Sequence, residues 1–305
     1  MNQLTTLIRR ELIEHRSSWA VTAVFGGLFV LAALLAMFGL VRIGDTHGGM
    51  TLAELAQSVE PEHFYPGLQA LLLAIATVLS LVMAFVVFFY FLDALYAERK
   101  DRSILFWKSL PVSDLGVVGS KYLTGAAAIP VLTVGVFLVT AILVWLIGGL
   151  ALLGAGSSEV LSSGPAALAR VTMILAYSLV CQSLWFVPID GWLLLVSAFA
   201  KRAVLGWAVA PPALLMVAEK TLFGSNHFAN MLMHRFIGGI ELSFSGERRE
   251  LVFDQGDTII TVFPTLGEFV TPGRLLAAPS LWIGIAVGLG FLAGAVWLRR
   301  WRDEA

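Results

Sequence analysis

The sequence predicts an all-α polytopic membrane protein with six transmembrane helices. Hydrophobic residues make up 58% of the 305 residues and charged residues only 13%, whereas soluble domains carry roughly 45–50% apolar and about 25% charged residues. Apolar stretches of about 20 residues or more, the length that an α-helix needs to cross a bilayer, occur six times. The lipid bilayer is therefore the main solvent of this chain.

The six apolar stretches define the predicted spans. The fourth is the longest, and Pro188 within it predicts a kink or a break, because proline lacks a backbone N–H and clashes with the preceding turn. Together with their loops the spans form one transmembrane domain, residues 19–305. The predicted spans are residues 19–41, 68–92, 121–146, 167–199, 204–223 and 279–298.

The distribution of basic residues predicts the orientation. Six spans place both termini on the same side, and short cytoplasmic loops of membrane proteins carry an excess of Lys and Arg. Most of the 20 Lys and Arg residues fall on the side of the N-terminus. The first two loops on the opposite side are acidic and contain Asp45, Glu54, Glu60, Glu62 and Glu159. We therefore expect both termini in the cytoplasm.

Residues 1–18 precede the first span and have an amphipathic pattern. Leu4, Leu7, Ile8 and Leu12 recur at helical spacing, with Arg9, Arg10 and Glu14 on the opposite side. This pattern predicts a helix that lies in the membrane interface. An alternative that the pattern leaves open is a helix that extends the first span into the cytoplasm.

Residues 224–278 form a long predicted loop between the fifth and sixth spans, on the extracytoplasmic side. The loop contains two candidate strands, residues 251–253 and 258–263. At about 55 residues it is small for an independent domain. We expect it to form a cap over the outer ends of the helices.

Sequence motifs for catalysis are missing from the chain. The nearest match to a nucleotide-binding G-x-x-x-x-G-K-[ST] loop is GVVGSK at 116–121, where the glycine spacing is wrong. The five histidines are never paired at the i, i+4 spacing of a helical zinc motif, and Cys181 is the only cysteine. We therefore predict no catalytic, cofactor-binding or metal-ligating residues.

An acidic residue, Asp190, lies within the fourth predicted span. It follows Pro188, and Cys181, Gln182 and Ser183 lie about two turns earlier. Acidic groups at mid-membrane are costly and usually face protein or water. Gln182 and Asp190 are therefore candidates for lining a pathway. The alternative is structural: Asp190 accepts hydrogen bonds from backbone groups freed by Pro188, or pairs with a basic residue.

The loop at residues 93–120 is the most highly charged segment on the cytoplasmic side. A charged cluster at 98–102 precedes an apolar run at 104–107. Such a run is a liability at a cytoplasmic surface unless it docks on lipid or on another protein. The alternative is a helical hairpin that packs only on its own chain. Pro111 ends the apolar segment, and Ser113 can cap the helix that follows.

Three segments of this sequence resemble ABC-2 type permeases, the membrane-spanning subunits of ABC exporters. Residues 92–124, LDALYAERKDRSILFWKSLPVSDLGVVGSKYLT, resemble the loop after the second span, with an ER dipeptide, polar residues, an apolar stretch and SLPVS. RRELIEHR at 9–16 is similar to the amphipathic connecting helix of the family. GWLLLVSAFAKRA at 191–203 resembles the junction of the fourth and fifth spans.

The resemblance implies a permease subunit of an ATP-driven exporter in the bacterial cytoplasmic (inner) membrane. Its implied partners are a second permease chain, identical in a homodimer, two copies of a separate ATP-binding subunit, and membrane lipid, but no nucleic acid. ATP and Mg would bind to the ATPase partner and not to this chain. Phe106 and Trp107 are the candidate anchors. The coupling residues that the resemblance implies are Glu98, Arg99, Asp101, Arg102, Ile104, Phe106, Trp107 and Pro111.

Two features depart from what the family leads us to expect, namely Asp190 and the length of the 224–278 loop. An alternative function is therefore an ion-coupled secondary transporter that uses Asp190, although the sequence has no clear internal repeat of the kind many such carriers show. A membrane enzyme is a third alternative, but it lacks a catalytic cluster. The transported substrate and the direction of transport stay open.

Overall fold

The computed structural model describes residues 3–40, 54, 64–101, 112–154, 156, 158–244 and 270–301. These residues are almost entirely helical and contain no β-strand; a bridge pairs Phe244 with Val270 in antiparallel fashion. The prediction of an all-α fold is therefore confirmed. The candidate strands at 251–253 and 258–263 lie outside the described residues.

The helices overlap all six predicted spans, although the helices of the third and fourth spans extend well beyond the predicted bounds. A π-helical turn, Thr124–Ala128, joins α5 to α6 without interrupting the helix. The helices are α1 Gln3–Glu14, α2 Arg16–Met37, α3 Phe64–Asp93, α4 Tyr96–Lys100, α5 Asp114–Leu123, α6 Ile129–Gly154, α7 Glu159–Trp185, α8 Val187–Phe199, α9 Val204–Phe223, α10 His227–Ser243, α11 Pro272–Ala277 and α12 Pro279–Trp301.

Five of these helical segments are long and apolar enough to cross a membrane. They are Ala20–Met37, Phe64–Lys100, Asp114–Gly154, Val160–Trp185 and Pro279–Trp301. α9, which was predicted as the fifth span, has 20 residues but does not meet both criteria; it carries two internal prolines and the charged pair Glu219 and Lys220. The prediction of a multi-span membrane protein is thus confirmed.

α1 is a separate helix and does not continue the first span. His15 lies between α1 and α2 with backbone angles of φ −97° and ψ 51°, which are not helical. α1 packs instead against α5 and the π-helical turn. The position of α1 in the membrane interface stays a prediction.

The predicted break at Pro188 is confirmed. α7 ends at Trp185, α8 begins at Val187, and Pro188 lies in the first turn of α8. Proline is tolerated there because the first N–H groups of a helix have no intrahelical acceptor. The break gives the two halves of the fourth stretch different neighbours, since α7 packs on α3 and α6 whereas α8 packs most extensively on α12.

Glycine allows the close approach of α8 and α12. A Cβ atom on Gly191 would lie 2.7 Å from the Gly288 carbonyl oxygen, and one on Gly288 would lie 2.6 Å from the Val187 carbonyl oxygen. The two backbones thus leave no room for a Cβ atom at these positions, and such close approach is typical of small residues in membrane helices. The main core lies between these helices and α3, α6 and α7, around the fully buried Leu72, Phe137 and Leu194.

Candidate functional site

A cluster of buried ion pairs joins four helices at one end of the bundle. Glu98 on α4 pairs with Lys121 on α5 at 3.1 Å and with Arg299 at the end of α12. Lys121 also pairs with Glu11 on α1 at 2.9 Å. Glu11, Glu98, Lys121 and Arg299 are all buried. We call the end of the bundle where α1, α4, the start of α5 and the end of α12 meet the charged end.

Arg299 binds residues on both sides of segment 102–111, which is the central part of the predicted loop at 93–120. Its guanidinium binds Glu98, which precedes the segment, and its Nε donates to Asp114 Oδ1, which follows the segment, at 3.2 Å. A buried ion pair resists separation, because removing one partner leaves the other as an uncompensated buried charge. The two ends of the segment are therefore fixed to the last helix of the chain.

Glu11 completes the cluster from the N-terminal helix. Its carboxylate accepts bonds from Lys121 Nζ and from the Tyr90 hydroxyl at 3.3 Å, and it lies 3.8 Å from His15 Nε2. The His15 ring packs edge-on against Tyr90. The cluster thus connects α1 with α3 as well as with α5.

α4 is attached to the end of α8 by a second set of bonds. The buried Ser197 hydroxyl oxygen accepts hydrogen bonds from the backbone N–H groups of Leu95 and Tyr96, each at 2.9 Å. Arg99 donates to the carbonyl oxygens of Ser197 at 2.6 Å and Ala200 at 2.8 Å. A cation at the C-terminal carbonyls of a helix is favoured by the helix dipole. The start of the loop is therefore also fixed to α8.

The structure describes only some of the predicted coupling residues. Glu98 is buried in the ion cluster, Arg99 contacts α8, and Asp101 is exposed. The described part of the loop therefore packs on its own chain, and its binding to a partner stays a prediction. Ser113 Oγ accepts a bond from Gly116 N at 3.1 Å, which confirms the predicted cap. Arg102, Ile104, Phe106, Trp107 and Pro111 lie outside the described residues.

Asp190 lies in the interior, in the first turn of α8. It is buried, and the structure shows no ion pair between it and any other described residue. Gln182 is half-buried near the end of α7, one turn before the break. Asp190 therefore has no basic partner among the described residues. Gln182 and Asp190 stay candidates for lining a pathway.

The opposite end of the bundle is built around Trp185 and Arg235. Trp185 Nε1 donates to the Arg235 carbonyl oxygen at 2.7 Å, and the Arg235 guanidinium lies 4.5 Å from the centre of the Trp185 ring. Arg235 also donates to the carbonyl oxygens of Trp185 and Ser280. Burial lowers the pKa of the Arg235 guanidinium from its ordinary value. α10, within the predicted cap, is thus docked on α7 and α12.

Sequence reasoning missed the buried role of Glu11, Tyr90, Lys121 and Arg299. A signal for Glu11 was present, because it follows Leu4, Leu7 and Ile8 at helical spacing and so lies on the apolar side of α1. A charge on that side indicates a buried partner.

Within the described ranges, no group of three His, Cys, Asp or Glu side chains could hold a metal ion.

The chain is similar to one family of known proteins. Residues 64–185, from the start of α3 to the end of α7, match a family model described as ABC-2 family transporter protein. The matched segment contains the loop and Glu98, Asp114 and Lys121 of the ion cluster. The resemblance to ABC-2 type permeases is confirmed for this segment. No curated protein and no solved structure matches the chain.

Proposed function

We propose that this chain, whose residues 64–185 match a family model described as ABC-2 family transporter protein, is the permease subunit of an ATP-driven exporter. It forms the transmembrane pathway and couples to a separate ATP-binding subunit through the loop at 93–120. The observation that carries the proposal is the family match, which includes this loop and both of its anchoring residues, Glu98 and Asp114.

The energy for transport comes from a partner in this proposal. The sequence has no G-x-x-x-x-G-K-[ST] loop, so two copies of an ATPase chain bind the ATP and Mg and hydrolyse the nucleotide. This chain performs no catalysis. A second, identical permease chain completes the pathway in the bacterial inner membrane, with the termini of both chains in the cytoplasm.

The ion cluster supports a mechanical role for the loop. Closure of the ATPase subunits pulls on Phe106 and Trp107, and the movement reaches the helices through the residues at the base of the loop. Glu98 and Asp114 transmit it to α12 through Arg299, and Arg99 transmits it to α8. Because α8 and α12 pack on each other through glycines, they move as a unit, as in rigid-body switching.

Co-purification tests the coupling step. The chain is expressed with the ATPase encoded by the neighbouring reading frame, and the Phe106→Ala/Trp107→Ala variant is compared with the unchanged protein. We expect the variant to lose the ATPase, because aromatic anchors carry a large share of interface energy. The control is Phe223→Ala/Trp297→Ala, which removes one exposed Phe and one exposed Trp elsewhere. Retention of the ATPase by the loop variant contradicts the assignment.

A second candidate function is ion-coupled transport through Asp190. The observation that favours it is the position of this buried carboxylate directly after a helix break, an arrangement typical of ion sites in carriers. Uptake driven by a proton or sodium gradient into vesicles that contain the purified chain alone would support this function. Dependence of transport on the ATPase would support the exporter instead.

A further inference from the structure

A groove of about 740 Å³ opens on the side of the bundle next to the charged end. The start of α2, the second half of α3 and the start of α9 form its walls. Apolar side chains such as Phe25, Phe85 and Leu205 line most of it, and all three are exposed at the surface of the chain. The groove therefore offers an apolar surface to whatever lies beside the bundle.

The length of the groove matches one leaflet of a bilayer. On α3 its lining extends from Val82 to Asp93, which is about 16 Å at a rise of 1.5 Å per residue. The hydrocarbon core is about 30 Å thick, so one leaflet is about 15 Å deep. One acyl chain is therefore long enough to extend from the charged end to the far end of the groove.

Polar residues lie only at one end of the groove. His15, Tyr90, Asp93 and Tyr96 line it there. Among the described residues that line the groove, Asp93 is the one carboxylate; it is exposed and pairs with no cation of the described chain. The mouth of the groove thus presents a negative charge next to an apolar slot.

Three basic residues are close in sequence to residues that line this mouth. Arg16 directly follows His15, and Lys201 and Arg202 shortly precede Val204, which lines the groove. All three basic residues are exposed. The mouth therefore combines one carboxylate with nearby cations, which complements a headgroup that carries both an ammonium and a phosphate.

We propose that this groove binds one phospholipid with a primary-amine headgroup, of the phosphatidylethanolamine type. The ammonium donates to the Asp93 carboxylate, the phosphate lies near Arg16 and Lys201, and an acyl chain occupies the apolar slot. Phosphatidylglycerol carries the phosphate but no cation for the Asp93 carboxylate, and a choline headgroup has no N–H to donate.

Headgroup preference tests the proposal. The delipidated full-length chain is titrated with dioleoyl phosphatidylethanolamine, phosphatidylglycerol or phosphatidylcholine, and bound lipids are counted by native mass spectrometry. We expect one retained phosphatidylethanolamine per chain, preferred about fivefold over the other two lipids, since a partly exposed ion pair supplies a difference of this order. Asp93→Asn should abolish the preference. Glu14→Gln, which removes an exposed carboxylate of α1 that does not line the groove, should leave it unchanged.

Filling the groove provides an independent test. Val21→Trp on α2 places a large side chain in the slot, and Val131→Trp on α6 adds the same side chain at an exposed position outside it. Only Val21→Trp should lose the retained lipid, at an unchanged melting temperature. Equal lipid retention by both variants, or equal headgroup preference in Asp93→Asn and Glu14→Gln, would overturn the proposal. Loss of a dimer instead of a lipid would identify the occupant as a second copy and would also overturn it.

Discussion

Glu98 and Arg299 lie 201 positions apart in sequence and form a buried ion pair at the charged end of the bundle. Glu98 precedes the loop at 102–111, and Arg299 is near the end of the last helix. Arg299 also binds Asp114 on the far side of the loop. One residue of α12 therefore fixes both ends of the segment that we propose to contact the ATPase.

Breaking this pair should destabilise the protein. Arg299→Met leaves Glu98 buried with one cation fewer, and the loss of one partner of a buried ion pair costs about 3–5 kcal/mol. We expect a large fall in melting temperature of the detergent-purified chain. Arg300→Met is the control, because Arg300 is exposed and contacts only the neighbouring Trp301 ring among the contacts that the structure describes. A similar melting temperature for both variants would show that the pair contributes little to stability.

Ser197 should be required to hold α4 against α8. Ser197→Ala removes the acceptor of the Leu95 and Tyr96 N–H groups, and an unsatisfied buried donor costs about 1–3 kcal/mol. Faster hydrogen exchange at these two amides measures the effect directly. Ser80→Ala is the matched control, since its hydroxyl bonds only the preceding turn of its own helix. Unchanged exchange in Ser197→Ala would contradict the role of this hydroxyl.

Close packing of α8 on α12 predicts different effects for two neighbouring glycines. Gly288→Ala places a methyl group 2.6 Å from the Val187 carbonyl oxygen, and overpacking of this kind costs about 1–3 kcal/mol. Gly290→Ala adds a methyl group with no neighbour within 4 Å, so its effect should stay within about 0.5 kcal/mol. Thermal unfolding of both variants measures the difference. Equal melting temperatures would mean that the helices separate easily at this point.

Cysteine labelling checks the proposed orientation. In a Cys181→Ser background, Lys201→Cys should be protected from a membrane-impermeant maleimide in intact cells, whereas Asn226→Cys should react. Both positions are exposed, one between α8 and α9 and the other between α9 and α10. The basic loop lies in the cytoplasm in our proposal. The reverse labelling pattern would invert the topology, and lysed cells should label both positions.

The predictions from sequence were accurate where the property is local. The span of a helix depends on the length of an apolar run, so the positions of α3, α9 and α12 were readable from the sequence. The break before α8 follows from Pro188, and the cap of α5 follows from Ser113. Each of these features depends on residues within one or two turns of each other.

The partners of charged residues could not be read in the same way. The charged cluster that begins at Glu98 has the composition of a solvated loop, yet Glu98 is buried between Lys121 and Arg299. Its partners are the first residue of the third predicted span and the residue directly after the last predicted span. A pattern within the loop contains no information about which distant helix packs against it.

The sequence by itself determined that this chain is a multi-span membrane protein and approximately where its long apolar helices lie, because the cost of exposing backbone and charge to lipid acts on each segment separately. The tertiary structure alone decided that Lys121 and Arg299 pair with Glu98 and that Glu11 pairs with Lys121. Buried charges require partners at hydrogen-bond distance, and only the packing of the helices brings such partners together.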